Sequence, residues 1–373
     1  MSGQTRKVRI GSVTIGGGSS VAVQSMTTTD TKDIDATVAQ IRALEEAGCD
    51  IVRVALYDEE CAQAAAKIRE QIRIPLVGDV HFSARIALDA IEAGIDKIRI
   101  NPGNIGSAED VSMVARAAKA AGIPLRVGSN SGSVPKGAGS GCDALVIGTL
   151  SNIEWLENAG FEDIVVSVKS SSVPECVQAA RVLSRLRPYP LHLGVTEAGT
   201  YERAVIKSAA GIGALLLDGI GDTIRVSISG DPVREVHVGK ALLESLGLRE
   251  QTLEIISCPT CARCRSFDVE QLARQAETLA EMCEFPMRLA VMGCEVNGPG
   301  EARRADLGIA GGRGRVALFE DGRVTGTYSP DQAFAALAAA VKAFQDRRRQ
   351  EVAGKSGGAR KRTGGGALGS SRA

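Results

Sequence analysis

Through the first two thirds of the chain, short apolar runs rich in β-branched residues alternate with longer stretches whose apolar residues recur at helical spacing. Several of these helical stretches end in Ala-Gly, and a glycine at that point can take the left-handed conformation that stops a helix. Eight strand–helix units at this spacing predict an α/β fold with a (β/α)8 barrel of the TIM type. The predicted strands are 21–25, 51–56, 75–80, 97–101, 124–129, 163–169, 191–197 and 223–229.

The pattern changes after residue 230, where a linker, partly helical at 238–246, is predicted to span 231–249. Beyond it the sequence predicts a small α+β domain. Its predicted elements are strands at 253–257, 287–292 and 306–310, helices at 269–282 and 330–345, and a hairpin around 320–323. The predicted domains are a barrel at 1–235, a second domain at 250–347 and a basic tail at 348–373. The tail is predicted to be disordered because it has too little apolar surface to bury.

Composition narrows the range of functions. The chain has 373 residues, with 44 Lys plus Arg against 44 Asp plus Glu. This balance favours neither a nucleic acid nor an anionic membrane as a partner. The N-terminus lacks the apolar core of a signal peptide, and no apolar run approaches the roughly 18 residues of a membrane span. A cytoplasmic location is therefore expected, in which the nine cysteines are metal ligands or inert thiols rather than disulfides.

Polar side chains cluster at the C-terminal ends of the predicted barrel strands, the face at which barrel enzymes carry out their chemistry. Four of them are arginines that interrupt apolar runs, and a buried arginine needs a carboxylate or another anion as its partner. Internal ion pairs are one interpretation. However, these arginines and Lys169 outnumber the nearby carboxylates Asp79 and Glu197, which favours a phosphate-bearing substrate. The whole set is Gln24, Ser25, Arg53, Asp79, His81, Arg99, Asn101, Arg126, Ser129, Asn130, Lys169, Glu197, Arg225 and Ser227.

A cysteine motif in the second domain points to a metal. Cys258 and Cys261 form a Cys-Pro-Thr-Cys pair after a predicted strand, Cys294 follows another strand, and Glu301 comes seven residues later. The Gly-Pro-Gly turn before Glu301 can swing its carboxylate back towards the thiols. Three thiolates with one oxygen ligand suit an iron–sulfur cluster whose fourth iron is held weakly. Such an iron can exchange the carboxylate for a substrate oxygen.

Cys264 leaves two alternatives open, because it forms a second Cys-x-x-Cys with Cys261. Four thiols could hold a cluster used for electron transfer alone, or a structural zinc ion. We interpret Cys264 as a bystander, because a closed four-thiolate site leaves the Asn-Gly-Pro-Gly-Glu run without a role. The remaining cysteines are interpreted as inert thiols, namely Cys49, Cys61, Cys142, Cys176 and Cys283.

Six motifs stand in order along the chain, and the last two contain the cysteines described above. They are Val23-Gln24-Ser25-Met26-Thr27, Gly78-Asp79-Val80-His81-Phe82, Arg99-Ile100-Asn101-Pro102-Gly103-Asn104, Gly194-Val195-Thr196-Glu197-Ala198-Gly199, Ser257-Cys258-Pro259-Thr260-Cys261 and Gly293-Cys294-Glu295-Val296-Asn297-Gly298-Pro299-Gly300-Glu301. On these motifs the chain resembles the bacterial 4-hydroxy-3-methylbut-2-enyl diphosphate synthases over about residues 8–345. These are iron–sulfur enzymes of the methylerythritol phosphate route to isoprenoids.

The resemblance implies a [4Fe-4S] cluster held by Cys258, Cys261, Cys294 and Glu301, with Asn297 beside its unique iron. Glu197 matches the family's acid/base candidate. The positions that hold the substrate diphosphate are matched by Arg53, Arg99, Arg126, Lys169, Arg225 and Ser227, and the mouth segments contain Asp79, His81, Asn101 and Asn130. The resemblance also implies flavodoxin or ferredoxin as electron donor. It implies a homodimer in which the cluster domain of one subunit caps the barrel of the other. Cys264 departs from the family, where this position is not usually cysteine.

The implied activity is that of an oxidoreductase. It is the reductive ring opening of 2-C-methyl-D-erythritol 2,4-cyclodiphosphate to (E)-4-hydroxy-3-methylbut-2-enyl diphosphate, with loss of one hydroxyl as water. Two alternatives follow from the residues alone. One is a sugar-phosphate lyase or isomerase whose second domain holds a structural zinc ion, and the other is an iron–sulfur electron-transfer module.

Overall fold

The computed structural model of the chain describes residues 5–101, 105–130, 140–261, 264, 266–294, 304–312 and 314–360, with side chains up to residue 353. The chain divides after Arg249 into two compact units, Met1–Arg249 and Glu250–Ala373. Among the described residues, no helix is both long enough and apolar enough to cross a membrane.

The first unit is a parallel eight-stranded barrel surrounded by helices, as the sequence predicts. Its elements are β1 (Val8–Ile10), β2 (Val13–Ile15), β3 (Ala22–Met26), α1 (Ile34–Glu46), β4 (Ile51–Leu56), α2 (Glu59–Arg69), β5 (Leu76–Val80), α3 (Ala84–Glu92), β6 (Lys97–Arg99), α4 (Ala108–Ala121), β7 (Leu125–Asn130), α5 (Gly141–Asn158), β8 (Ile164–Lys169), α6 (Val173–Leu186), β9 (His192–Leu193), α7 (Tyr201–Leu217), β10 (Thr223–Ile224) and α8 (Pro232–Ser245). The strand order is β8-β7-β6-β5-β4-β3-β10-β9, and a parallel bridge from Val166 to Leu191 brings the two ends of the sheet together.

The helix stops predicted at Ala-Gly pairs are confirmed. Gly48, Gly94, Gly122 and Gly160 all have positive φ, between 68° and 90°. At Gly122, which ends α4, the residue is in the left-handed conformation and its N–H bonds back to Ala118. Glycine takes this conformation without the steric cost of a Cβ, so each pair ends a helix and turns the chain towards the next strand.

Two strands are much shorter than predicted. β9 and β10 each have two residues, where the sequence predicted 191–197 and 223–229. Beyond β9, a Cβ at Gly194 would lie 2.8 Å from the Arg225 carbonyl oxygen and 3.0 Å from Lys169 Nζ. Glu197 then has a φ of 52°, which turns the chain out of an extended path. The apolar character of these segments therefore reflects burial at the barrel mouth rather than strand pairing.

The predicted linker contains the last helix of the barrel. α8 begins at Pro232, with the Asp231 side chain accepting the Val233 N–H, so the helix starts well before the predicted 238. Val236 and Leu243 of α8 are fully buried in the main core. The barrel unit therefore continues past the predicted limit of residue 235, and Asp-Pro is the N-terminal helix signal that marks this start.

A hairpin that was not predicted closes the N-terminal end of the barrel. β1 and β2 pair antiparallel, with Val8 opposite Ile15. Val8, Ile10 and Ile15 form one buried apolar cluster with residues at the starts of the barrel strands. Those barrel residues are Ala22, Ile51, Val77 and Val165. The hairpin therefore seals the barrel end opposite the predicted mouth.

The second unit is a mixed five-stranded sheet with helices packed against it. Its elements are β11 (Leu253–Ser257), α9 (Val269–Glu277), a 3₁₀ turn (Thr278–Met282), β12 (Met287–Met292), β13 (Leu307–Gly312), β14 (Arg315–Glu320), β15 (Arg323–Tyr328), a 3₁₀ turn (Pro330–Gln332) and α10 (Ala333–Arg360). β11, β12 and β13 are parallel, and β13, β14 and β15 are antiparallel. α10 runs further than the predicted helix, so the first part of the predicted tail is helical, and residues 361–373 lie outside the described residues.

Candidate active site

Strand alternation places the charged residues inside the barrel. Val52 and Val54 of β4 belong to the main core under the helices, so Arg53 between them faces the interior. The same alternation points Arg126 of β7 inward, between the core residues Leu125 and Val127. A barrel interior is usually filled by branched apolar side chains, so charged residues at these positions indicate a functional interior.

Asp79, at the end of β5, is the carboxylate that anchors two of these arginines. Its Oδ1 accepts a hydrogen bond of 3.0 Å from Arg99 Nη1, and its Oδ2 lies 3.5 Å from Arg53 Nε. Burial by itself raises the pKa of Asp79, but Arg53, Arg99 and Arg126 together hold it well below the ordinary value. Asp79 is therefore a buried anion that fixes two guanidinium groups in place.

His81 lies beside this pair. Arg99 Nη1 donates to His81 Nε2 at 2.8 Å, so this ring nitrogen is an acceptor and carries no proton. Burial and the neighbouring arginines lower the pKa of His81, although Asp79 opposes them. The imidazole is thus neutral at pH 7, which leaves Nδ1–H as a donor.

A second buried carboxylate, Glu235 of α8, holds Arg225. Arg225 Nε donates to Oε2 at 3.2 Å and Nη2 donates to Oε1 at 3.3 Å, a bidentate pair. Ser25 Oγ also donates to Oε2, at 3.0 Å, and the Ile228 N–H donates to Oε1 at 3.1 Å. The sequence analysis missed Glu235 because it treated this segment as a linker. The Asp-Pro helix start three residues earlier is the signal that places an acidic residue in the first turn.

Two cations near the mouth, Arg126 and Lys169, have no such anchor among the described residues. Arg126 is 2% exposed and its Nε has no hydrogen-bond partner among the described residues. Lys169, at the end of β8, is 6% exposed, and the described residues provide no ion pair for it. Burial and the surrounding arginines hold the pKa values of Arg126 and Lys169 well below their ordinary ranges. Neither group forms a direct ion pair within the described part of the chain, and an anionic ligand is the partner that would stabilise their charged forms.

The polar interior extends below the mouth. Following the pairing registers around the barrel, one level consists of Gln24, Val77, Arg126 and His192, and the next level down of Ile51, Lys97, Val165 and Thr223. His192 Nδ1 shares a hydrogen bond with Thr223 Oγ1. The Lys97 amine is fully buried without a described partner, and burial holds its pKa well below the ordinary range. The sequence analysis did not single out Lys97 or His192.

The remaining predicted barrel residues lie at or just beyond the ends of strands. Asn101 is buried two residues beyond the end of β6, Asn130 ends β7 opposite Lys169, and Ser227 is half-buried beyond β10. Glu197 is exposed in the turn after β9, with its φ of 52°. A left-handed backbone at a non-glycine residue is strained, and such residues concentrate at functional sites. The predicted acid/base role of Glu197 stays a prediction.

Two cysteines of the second unit, Cys258 and Cys294, lie at one edge of its sheet. β11 and β12 are parallel neighbours with Ser257 opposite Val291, so Cys258 and Cys294 follow strands that end side by side. The Gly293 N–H donates to Cys258 Sγ at 3.2 Å. Backbone N–H groups directed at a thiolate sulfur are the contacts that tune an iron–sulfur site.

Cys264 belongs to the same group of sulfurs. Its Sγ donates to the Phe267 carbonyl at 3.3 Å, and a Cβ on Gly293 would lie 2.7 Å from it. Burial raises the pKa of Cys264, and the nearby Cys258, Cys261 and Cys294 raise it further. Within the described residues, no group of three or more His, Cys, Asp or Glu side chains is arranged to hold a metal ion. Asn297 and Glu301 lie outside the described residues.

The fold and the site define a barrel protein whose mouth contains buried cations suited to an anionic ligand. Its second unit has several thiols at one edge of the sheet. Two family models match: the GcpE TIM-barrel domain over residues 5–240, and the GcpE protein C-terminal domain over residues 254–343. The chain belongs to the GcpE family.

Curated relatives are similar over most of the chain. A protein of Ruminiclostridium cellulolyticum is 51% identical over 326 residues, covering 86% of this chain and 92% of the relative. One of Clostridium perfringens is 52% identical over 326 residues, covering 86% and 93%. Both are named 4-hydroxy-3-methylbut-2-en-1-yl diphosphate synthase (flavodoxin). Among solved structures, a dihydropteroate synthase of Stenotrophomonas maltophilia matches with a TM-score of 0.49 and 16% identity, over 65% of this chain and 97% of that one.

Proposed function

We propose that this protein is a reductive diphosphate synthase that converts 2-C-methyl-D-erythritol 2,4-cyclodiphosphate to (E)-4-hydroxy-3-methylbut-2-enyl diphosphate. In this reaction a ring C–O bond to the diphosphate breaks, and the neighbouring hydroxyl leaves as water. Two electrons enter, one proton completes the water, and the freed phosphate oxygen keeps a negative charge. The relatives at 51–52% identity carry the name of this activity. The observation that carries the proposal is the pair of buried cations, Arg126 and Lys169, that lack an anionic partner among the described residues.

The barrel residues divide the binding of the diphosphate among them. Arg99 is fixed on Asp79 and Arg225 on Glu235, so their remaining N–H groups offer oriented donors to phosphate oxygens. Arg126 and Lys169 supply the charge that the diphosphate neutralises. Because the donors are oriented before the substrate arrives, they also stabilise the phosphate oxygen that becomes free when the ring opens.

Protons come from the mouth. Glu197, in its strained turn after β9, is the candidate for supplying the proton with which the hydroxyl leaves as water. His81, neutral because its Nε2 accepts from Arg99, is too weak an acid to give up a proton, but its Nδ1–H can donate a hydrogen bond that orients a substrate oxygen.

A redox group must deliver the electrons, and the thiols of the second unit are suited to bind one. Cys258, Cys261 and Cys294 would hold a [4Fe-4S] cluster, with Glu301 and Asn297 completing the site. When bound, the cluster supplies single electrons and a Lewis-acidic iron. The donor set fits this group, because the thiols gather at one sheet edge and Cys258 Sγ already accepts an N–H. We further propose flavodoxin as electron donor, a homodimer as the working form and the cytosol as the location.

An anaerobic assay tests the function. Cluster-reconstituted protein is incubated with the cyclic diphosphate and a strong chemical reductant, and the phosphorus NMR spectrum is followed. We expect signals of an open-chain allylic diphosphate. If the substrate stays unchanged while iron analysis shows a complete four-iron cluster, the proposal is wrong and the electron-transfer alternative is favoured. Reduced flavodoxin and ferredoxin, compared in the same assay, identify the donor.

A further inference from the structure

Glu235 accepts four hydrogen bonds in the interior of the barrel unit. It is 3% exposed, and each of its carboxylate oxygens has two donors. Ser25 Oγ and Arg225 Nε donate to Oε2, at 3.0 and 3.2 Å. The Ile228 N–H and Arg225 Nη2 donate to Oε1, at 3.1 and 3.3 Å. A carboxylate with this many donors is held in one orientation, and it holds its donors in turn.

The Glu235 carboxylate determines which nitrogen of Arg225 stays available to a ligand. The edge formed by Nε and Nη2 is occupied by Glu235. Among the described residues, the third nitrogen, Nη1, contacts only the Met26 sulfur, a weak acceptor at 3.8 Å. Arg225 therefore has one fixed edge and one nitrogen left for a ligand. Without Glu235, the long side chain would be free to take other rotamers.

Glu235 also fixes the backbone that carries Ser227. Its bond to the Ile228 N–H lies one residue after Ser227, in the segment that follows β10. Glu235 itself is in the first turn of α8, which is anchored by Pro232 and by the Asp231 side chain on the Val233 N–H. A negative side chain is also favoured at that helix end. Thus one side chain ties together the ends of β3 and β10 and the start of α8.

We propose that Glu235 is a positioning residue for the diphosphate of the substrate, acting through Arg225 and the segment that carries Ser227. This inference rests on the proposed function, in which both residues bind the diphosphate. Donors held at fixed positions bind a phosphate more tightly than donors that must be ordered on binding. Glu235 touches neither the reacting carbons nor the leaving hydroxyl in this scheme, so its removal should weaken binding rather than slow the chemical step.

The test is Glu235→Gln in the reconstituted holoenzyme. The amide keeps the size of the side chain but replaces one acceptor oxygen with a donor, so two of the four hydrogen bonds are lost and Arg225 loses its counter-charge. We expect KM for the cyclic diphosphate and Kd for inorganic pyrophosphate to rise at least about tenfold, with kcat changed less than about threefold. Glu235→Asp, which restores the charge, should recover part of this affinity.

Glu175 provides a matched control. It too is an acidic residue in the first turn of a barrel helix, α6, and accepts a serine hydroxyl, Ser170 Oγ, at 2.9 Å, but no described contact joins it to an arginine. Glu175→Gln should leave KM and the pyrophosphate Kd within about twofold of wild type. If Glu235→Gln binds pyrophosphate as tightly as Glu175→Gln does, Glu235 has no positioning role and the inference is wrong.

A double-mutant cycle separates positioning from a general loss of structure. In an Arg225→Gln background, Glu235→Gln should cost clearly less affinity than it does in wild type, because Arg225 is already absent and only the segment that carries Ser227 is left for Glu235 to position. If the double variant loses affinity by the full product of the two single-variant factors, the inference is wrong. If Glu235→Gln does not accumulate as folded protein, Ser25→Ala removes one donor to the same carboxylate and keeps its charge. A rise of about two- to fivefold in the pyrophosphate Kd then supports the inference, and an unchanged Kd contradicts it.

The two proposals fail differently. Wild-type protein that binds pyrophosphate but does not convert the cyclic diphosphate contradicts the proposed function, whereas the Glu235 variants still report on how the phosphate site is built. Wild-type protein that turns over, with Glu235→Gln indistinguishable from Glu175→Gln, contradicts this inference alone.

Discussion

The barrel mouth and the cysteine edge of the second unit are built in opposite ways. In the barrel, the protein supplies its own counter-ions: Asp79 fixes Arg53 and Arg99, and Glu235 fixes Arg225. At the cysteine edge, thiols gather where β11 and β12 end, yet the described residues form no arrangement that holds a metal. Oriented charges can be preformed by packing. A thiolate site takes its final geometry from its metal, because metal binding and local folding are coupled.

The largest expected effect lies at the cysteine edge. Cys294→Ser should remove the visible absorption and the iron of the reconstituted protein and abolish turnover, because one of three proposed thiolate ligands is lost. Pyrophosphate binding by the barrel should stay within about twofold of wild type, since the two sites are built independently. Iron analysis, absorption spectra and calorimetry measure these effects. Cys283→Ser, at a buried thiol bonded to the Leu279 carbonyl, is the control and should keep its iron. Full iron content in Cys294→Ser would exclude Cys294 as a ligand.

Arg126→Met should have the opposite effects to Cys294→Ser, with weaker pyrophosphate binding and an intact cluster. The pyrophosphate Kd should rise about a hundredfold, because a buried cation directed at the diphosphate is lost, and iron content should be unchanged. The unliganded protein should be as stable as wild type or more stable, since an unpaired buried guanidinium is replaced by an apolar side chain of similar length. Titration calorimetry and denaturant unfolding measure both effects. Arg181→Met, at an exposed ion pair with Asp218, serves as control. Loss of iron in Arg126→Met would contradict this division of roles.

Asp79→Asn tests whether the mouth depends on its internal counter-ion. Removing a buried carboxylate that anchors two arginines should destabilise the barrel by about 3–5 kcal/mol at pH 7. The effect should depend on pH. Because the pKa of Asp79 is lower in the folded protein than in the unfolded chain, wild type loses this contribution as pH falls below roughly 4. The difference between variant and wild type should therefore shrink on acidification. Urea unfolding between pH 7 and pH 3 measures this, and a constant difference would exclude Asp79 as the source.

Cys264→Ser should have the smallest effect. If Cys264 is a bystander, iron content and turnover should stay within about twofold of wild type, because its contacts are with Phe267 and Gly293. Glu301→Ala, measured in parallel, should alter the cluster spectrum. The opposite result, a cluster lost in Cys264→Ser and kept in Glu301→Ala, would indicate the all-cysteine electron-transfer site.

Much of the barrel and of its site could be predicted from sequence because local signals were strong. Arg53 and Arg126 interrupt apolar strands, and the Ala-Gly pairs mark helix ends that the structure confirms. The two short strands β9 and β10 were predicted too long, because a buried apolar segment has the same sequence pattern whether or not it pairs.

Other features could not be read from local sequence. Glu235 is ten residues from Arg225, and only the position of α8 shows that they meet. Lys97 is the first residue of a strand, and the sequence does not show that its amine is buried without a described partner. Its burial depends on the closure of the barrel around it. The cluster ligands were assigned from motif spacing and resemblance, and Glu301 lies outside the described residues, so that assignment stays a prediction.

The hairpin β1–β2 affects where substrate and product can enter and leave the barrel. Val8, Ile10 and Ile15 pack against residues at the starts of the barrel strands, so among the described residues the N-terminal end of the barrel is filled by apolar side chains. Substrate and product are therefore expected to enter and leave at the opposite end, where the arginines lie. Product that is still bound there excludes the next substrate, so inhibition by the open-chain diphosphate should be competitive.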